Sequence, residues 1–323
     1  MSQYLFRSTL AKVMNEFVAF KRSQGYEYRD DFGALRYFDI FLLHCSYARP
    51  EITDDILSRY AASVRHLAPN TQYGRLAAVR VFARWLRRLV PGSAIVEDLG
   101  VKRPTLPRYY LYSHAQLLTL IQAARQMDET RSELRRTACL ATLIGLLYTT
   151  GLRIGEALAL NVGDIDLAAS RLTVKRGKLG KARNIALSAS TVVVLGRFLD
   201  ARPDWGPCGH DAPFFFNTRG GRLGYGCASQ SFRTLLRLCK IAIDTVQRPR
   251  FHDLRHSFAC DCLRKWYEEG VDVNVKLPIL STAMGHVHIN DTQLYLHVTA
   301  QLLQVAADRF HKTFTTNCQG AHL

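Results

Sequence analysis

Apolar residues fall at helical spacing along most of this 323-residue chain, and only one stretch, residues 164–187, alternates as strands do. Such a pattern folds as packed helices with one small sheet inserted, because a 3.6-residue period and a 2-residue period cannot serve the same element. In the first hundred residues Val13, Phe17 and Phe20 share a helical face, as do Leu35, Phe38 and Leu42. Thr53 ahead of Asp54 and Asp55 marks a helix start. A fourth helix runs from about residue 71 to 90, with Leu76, Val79, Phe82 and Leu86 as its apolar stripe. Ser113 caps a helix through 124, residues 131–160 form one or two more, and the pattern from 229 onward is helical apart from loops at 248–251 and near Gly285. Strands are expected at 164–166, 171–175 and 183–187, with Gly177 and Gly180 in the turn between the last two.

Pro104 and Pro107 break both periods, which separates a helical domain of residues 1–102 from a second domain of residues 103–323. The uncharged run 137–152 is shorter than the ~18 residues of a membrane span and reads as a buried helix. The opening segment MSQYLFRSTLAK lacks the apolar core of a signal peptide, so a cytoplasmic protein is expected. Eight cysteines without a CxxC pair fit reduced thiols in that compartment. Cys208 and His210 have no second ligand pair nearby, and neither a metal nor another cofactor is expected.

With 43 Lys and Arg against 27 Asp and Glu, the chain carries +16, a field that favours a polyanion such as nucleic acid. An acidic membrane surface would call for a basic amphipathic helix or a lipid anchor, and neither terminus offers one. The first hundred residues hold 14 basic and 10 acidic residues, so most of the excess lies in the second domain. The fourth helix nonetheless carries Arg75, Arg80, Arg84, Arg87 and Arg88 with no acidic residue. That composition suits a phosphate backbone or groove, and equally a solvated basic face.

Four separated segments could cooperate: TTGLRIGEAL around Arg153, RGKLGKAR around Lys178, FHDLRHSFA from Phe251, and MGHVHINDTQLYLHV from Met284. Singly each has a plain explanation, such as Arg153 pairing with Glu156 one turn on, or His252 and Arg255 forming a surface pair. In this order they resemble the four boxes of the tyrosine recombinase, or phage integrase, family: an Arg box, a β-turn Lys, a His-x-x-Arg box, and a Gly-His followed by a Tyr. The likeness covers nearly the whole chain. It implies a mainly α fold with a small β-sheet, a helical, SAM-like core-binding domain that binds DNA, and an α/β catalytic domain.

The resemblance further implies a site-specific recombinase that cleaves and rejoins double-stranded DNA through a 3′-phosphotyrosine, with Tyr295 as nucleophile and neither metal nor ATP. A phenolate can store the energy of the broken phosphodiester in a new one. Its ordinary pKa of about 10 calls for a base, and His252 matches the family's. Arg153 and Arg255 would hold the non-bridging oxygens through bidentate guanidinium contacts. Lys178 matches the acid that protonates the leaving 5′ oxygen, with Lys175 and Lys181 as nearby alternatives. His286 would hydrogen-bond the phosphate, His256, His288 and His297 would pack or orient, and Glu156 would orient its helix or Arg153. Tyr109, Tyr110 and Tyr112 read as linker residues, since no Gly-His precedes them.

The segment 260–282 is longer than in the family's simplest members and is similar to that of transposon-associated recombinases, which points to integration, excision or transposition of a mobile element. Leu302, Val305, Ala306 and Phe310 form a helical stripe that in the family often docks on a neighbouring protomer. A homotetramer on paired sites follows, with co-encoded recombinases as further partners and the nucleoid as the place of work. A non-cutting DNA-binding regulator, a type IB topoisomerase and a metal-dependent transposase are the competing classes. The full residue set argues against the first, the small helical first domain against the second, and the lack of an acidic triad against the third.

Overall fold

The computed structural model describes residues 4–25, 28–95, 100–101, 109–126, 131–175, 182–202, 206–241, 248–286 and 292, without the side chains of 29 and 131–137. Two compact units divide the chain, Met1–Pro107 and Arg108–Leu323. The expected boundary between 102 and 103 lies outside the described residues.

The first unit holds four helices, α1 (Ala11–Ser23), α2 (Arg29–His44), α3 (Asp54–Ser63) and α4 (Pro69–Leu89). Thr53 starts α3 as expected, its hydroxyl accepting from the Ile56 amide at 3.3 Å. Pro69 opens α4 at a position where a missing N–H costs nothing. Met14, Phe17, Leu35, Phe38, Leu42, Ile56, Phe82 and Leu86 are fully buried in one core. Phe20 departs from the expected stripe: it is 40% exposed and stacks on Trp85 at 6.5 Å, because it lies on the flank of the face that buries Met14, Phe17 and Val18. The buried Asp39 of α2 fastens the chain start, accepting from the Tyr4 hydroxyl at 2.8 Å and the Arg7 and Ser8 amides at 3.0 and 2.9 Å.

The second unit is built around α6 (Arg131–Thr150), which packs against α5 (His114–Gln126), α7 (Ile154–Ala159), α8 (Ala189–Asp200), α9 (Tyr225–Leu238) and α10 (Phe251–Glu268). The uncharged run within α6 buries Leu140, Leu143, Ile144, Leu146 and Leu147. Among the described residues no helix is long and apolar enough to cross a membrane. Strands β1 (Ile165–Asp166), β2 (Arg171–Val174) and β3 (Arg183–Ala186) form an antiparallel sheet in that order, pairing Leu172 with Ile165 on one side and Ile185 on the other. Asp164, expected in a strand, lies instead in the short 3-10 turn Val162–Asp164. Helix α11 (Val273–Met284) packs on α10 over a smaller apolar cluster. The described cysteines are all free thiols.

Tyr112 corrects the linker reading: it is buried in the main core of this unit, its amide donating to Ser257 of α10 at 2.9 Å. Removing the Asp39 carboxylate leaves the buried Ser8 amide, the half-buried Arg7 amide and the Tyr4 phenol without that acceptor, so Asp39→Ala should lower the stability of the first unit by about 1–3 kcal/mol. A urea midpoint unchanged from wild type would show that the carboxylate braces nothing.

Candidate active site

The turn that ends α6 and starts α7 places the first arginine. Gly151 adopts φ 64, the left-handed region that closes helices, and a Cβ there would meet the Phe258 ring of α10 at 2.4 Å. Arg153 then stands at the N-terminal boundary of α7, its amide donating to Glu156 Oε2 at 3.0 Å. Its guanidinium spans two partners, donating through Nη1 to Glu156 Oε1 at 3.0 Å and through Nη2 to the Gly285 carbonyl at 2.8 Å. About a quarter of the side chain, 26%, stays exposed.

Glu156 is buried, and it holds a second guanidinium: Arg183, first residue of β3, donates to Oε1 at 2.9 Å and Oε2 at 2.8 Å. Burial works against the charged carboxylate, but the bonds and charge of Arg183, then those of Arg153, outweigh it and hold the Glu156 pKa below its ordinary value. Arg183 also donates through Nε to the Ala283 carbonyl at 2.9 Å and through Nη2 to that of Met284 at 3.3 Å. Helix α11 therefore ends in a fixed turn, with Gly285 left-handed at φ 67 and the His286 amide bonded to the Ser281 carbonyl at 2.9 Å. His286 Nδ1 lies 2.6 Å from the hydroxyl of the buried Thr292.

Helix α10 contributes the third group. Arg255 is 1% exposed, which excludes a surface pair, and its Nη1 donates to the Gly151 carbonyl at 2.6 Å. One turn earlier, His252 keeps an edge open to solvent yet is crowded by protein. That desolvation, followed by the charges of Arg255, Arg250 and Arg153, pushes its pKa down to about 4. Its ring stands perpendicular to that of the buried His256 at 4.6 Å, and the His256 pKa falls to about 3, first through burial and then through His252 and the arginines. Tyr109 covers His256 at 3.7 Å between ring centroids.

Of the residues singled out in the sequence, Arg153, His252, Arg255 and His286 thus converge from the α6–α7 turn, α10 and the end of α11. Lys178, Lys181, His288, Tyr295 and His297 lie outside the described residues. Lys175, the remaining alternative for the β-turn lysine, is committed elsewhere, its Nζ 2.6 Å from the buried Asp164 carboxylate. On α4, Arg80, Arg84, Arg87 and Arg88 fall within about 100° of helical arc. Arg75 points away from that arc and lies over the Tyr37 ring of α2 at 3.7 Å. Sequence reasoning missed Arg183 and Thr292, which together with Arg153 fasten the end of α11 and His286. Two guanidiniums held by backbone carbonyls beside a neutral imidazole can grip a tetrahedral anion and accept a proton next to it.

A family model described as the phage integrase family matches residues 112–301. The integrase/recombinase-like protein y4rB of Sinorhizobium fredii is 35% identical over 310 residues, covering 94% of this chain and 98% of that one. Tyrosine recombinase XerC of Erythrobacter litoralis is 33% identical over 261 residues, 79% of this chain and 77% of its own. In fold, the chain is similar to the XerH site-specific recombinase crystallised on its palindromic difH substrate, with TM-score 0.59 and 21% identity over 80% of this chain and 71% of that one. It is also similar to the Tn1549 transposon integrase bound to circular intermediate DNA, with TM-score 0.58 and 17% identity over 80% of this chain and 86% of the other. A match over more than half the chain, joined to relatives alike across most of their length, places this protein in the phage integrase family, the tyrosine-type site-specific DNA recombinases.

Proposed function

We propose that the site cuts one DNA strand by in-line attack of the Tyr295 oxygen on phosphorus, forming a 3′-phosphotyrosine while the bond to the 5′ oxygen breaks. His252 takes the phenol proton, Lys178 returns one to the leaving oxygen, and Arg153 and Arg255 hold the non-bridging oxygens as charge builds on them. His286 hydrogen-bonds the same phosphate. Rejoining is the reverse attack by another 5′-hydroxyl, so bond energy is conserved without ATP. The observation that carries this reading is the pair of guanidiniums, fixed by the carbonyls of Gly285 and Gly151, beside an imidazole kept neutral.

The outer arc of α4, with Arg80, Arg84, Arg87 and Arg88, contacts phosphates flanking the cut, whereas Arg75 supports it by stacking on Tyr37. Integration, excision or transposition of a mobile element is the role favoured by the long 260–282 segment and by the 35% identical integrase/recombinase-like relative. Exchange between two sites uses four protomers, and co-encoded recombinases are the expected partners. Work on chromosomal DNA places the protein in the cytoplasm, at the nucleoid.

The direct test incubates nicked duplexes from the DNA flanking its gene with protein in EDTA and separates products on denaturing gels. Wild type should form a covalent adduct and Tyr295→Phe none; an adduct from both would remove Tyr295 as nucleophile. Because protonation stops His252 from accepting, adduct formation should hold from pH 8 to about 5.5 and fall only as the pH nears about 4. A base with the ordinary pKa of about 6.5 would already lose about tenfold at pH 5.5. Replacing Arg84, Arg87 and Arg88 by Ala should weaken binding to every duplex alike, and should flatten its logarithmic salt dependence by about 0.9 for each phosphate that is no longer neutralised. An unchanged salt slope would mark that arc as a solvated face.

A further inference from the structure

We infer that Arg183 is a positioning residue for strand transfer, offsetting the charge of Glu156 so that the cluster around Arg153 keeps a net positive charge toward phosphate, and anchoring the turn that presents His286. The inference rests on the roles proposed above for Arg153 and His286. Glu156 alone would form a neutral pair with Arg153 in a buried place where charges are weakly screened, and its carboxylate would repel the phosphate that Arg153 is to hold. With Arg183 on both carboxylate oxygens, Arg153 needs only Oε1 and extends its other nitrogen to the Gly285 carbonyl. Two guanidiniums around one carboxylate leave the group a net positive charge.

The same guanidinium lies against the α11 turn. It bonds the carbonyls of Ala283 and Met284, and a Cβ on Gly285 would sit 2.7 Å from its Cζ. Arg183 also opens the strand that follows the turn containing Lys178, five residues earlier in the chain. One planar side chain therefore links the strand after the expected acid, the carboxylate behind Arg153, and the loop of His286. A lysine ammonium cannot make this set of contacts, since it lacks the flat fork that meets two carboxylate oxygens and two carbonyls at once.

The test measures single-turnover adduct formation on the nicked duplex at saturating protein, beside the Kd for the same duplex and the melting temperature. Arg183→Met should slow adduct formation by about 10²-fold while the Kd moves far less. The double variant Arg183→Met with Glu156→Gln should regain about tenfold over Arg183→Met, because removing the carboxylate charge restores Arg153. An Arg183→Met protein as fast as wild type overturns the inference. So does a double variant no faster than the single one when both are folded at the assay temperature, since Arg183 would then be structural only. Should Arg183→Met fail to fold, Arg183→Lys keeps the question open to decision: a slowing of about tenfold supports the inference, and wild-type speed overturns it. Adduct formation by Tyr295→Phe in the same assay would sink the reading of the site itself, and this inference with it.

Discussion

The carboxylate of Glu156, buried between the guanidiniums of Arg153 and Arg183, is the contact on which the rest of the site depends. Burying a lone charge is prohibitive, whereas a carboxylate whose oxygens all accept charged bonds survives in the interior. Removing one partner from such a cluster costs on the order of 3–5 kcal/mol, because the remaining charge stays buried. Glu156 comes from α7, Arg183 from β3, and the carbonyls they help position come from α11. Three segments far apart in sequence are thereby held to one geometry, and the small sheet delivers Arg183 to it.

The histidines of α10 show the same logic with the opposite charge. Desolvation first, and then the charges of Arg255 and Arg250, drives the rings of His252 and His256 toward their neutral forms. A neutral imidazole among arginines is a proton acceptor that does not compete with them for phosphate. On the proposed reading, the charges that hold the phosphate also add to the burial that keeps the base neutral.

Much of this was legible in the sequence, for identifiable reasons. Helical periods gave α2 through Leu35, Phe38 and Leu42, and the cap at Thr53 gave the start of α3, since local side-chain chemistry decides both. Arg153, His252, Arg255 and His286 stood out because few structural needs put those residue types in that order. Arg183 was invisible because its partners lie 27 and 100 residues away, and one more arginine in a basic turn carries no local mark. Lys175 stood as an alternative to Lys178, and the fold pairs it with the buried Asp164, which no local signal in the sequence marks. Phe20 keeps the helical spacing of α1 yet is 40% exposed, and Arg75 lies off the arc of the other α4 arginines, over the Tyr37 ring.

Both proposed phosphate-gripping arginines are hooked onto main-chain oxygens, those of Gly151 and Gly285, at two turns where the backbone is left-handed. A carbonyl is inherited with the polypeptide itself, so no change of side chain at the acceptor can delete it. What such a change alters is only whether the turn can still form. The proposed phosphate cradle therefore depends on the backbone of those two turns, and not on the chemical identity of any side chain at its acceptors.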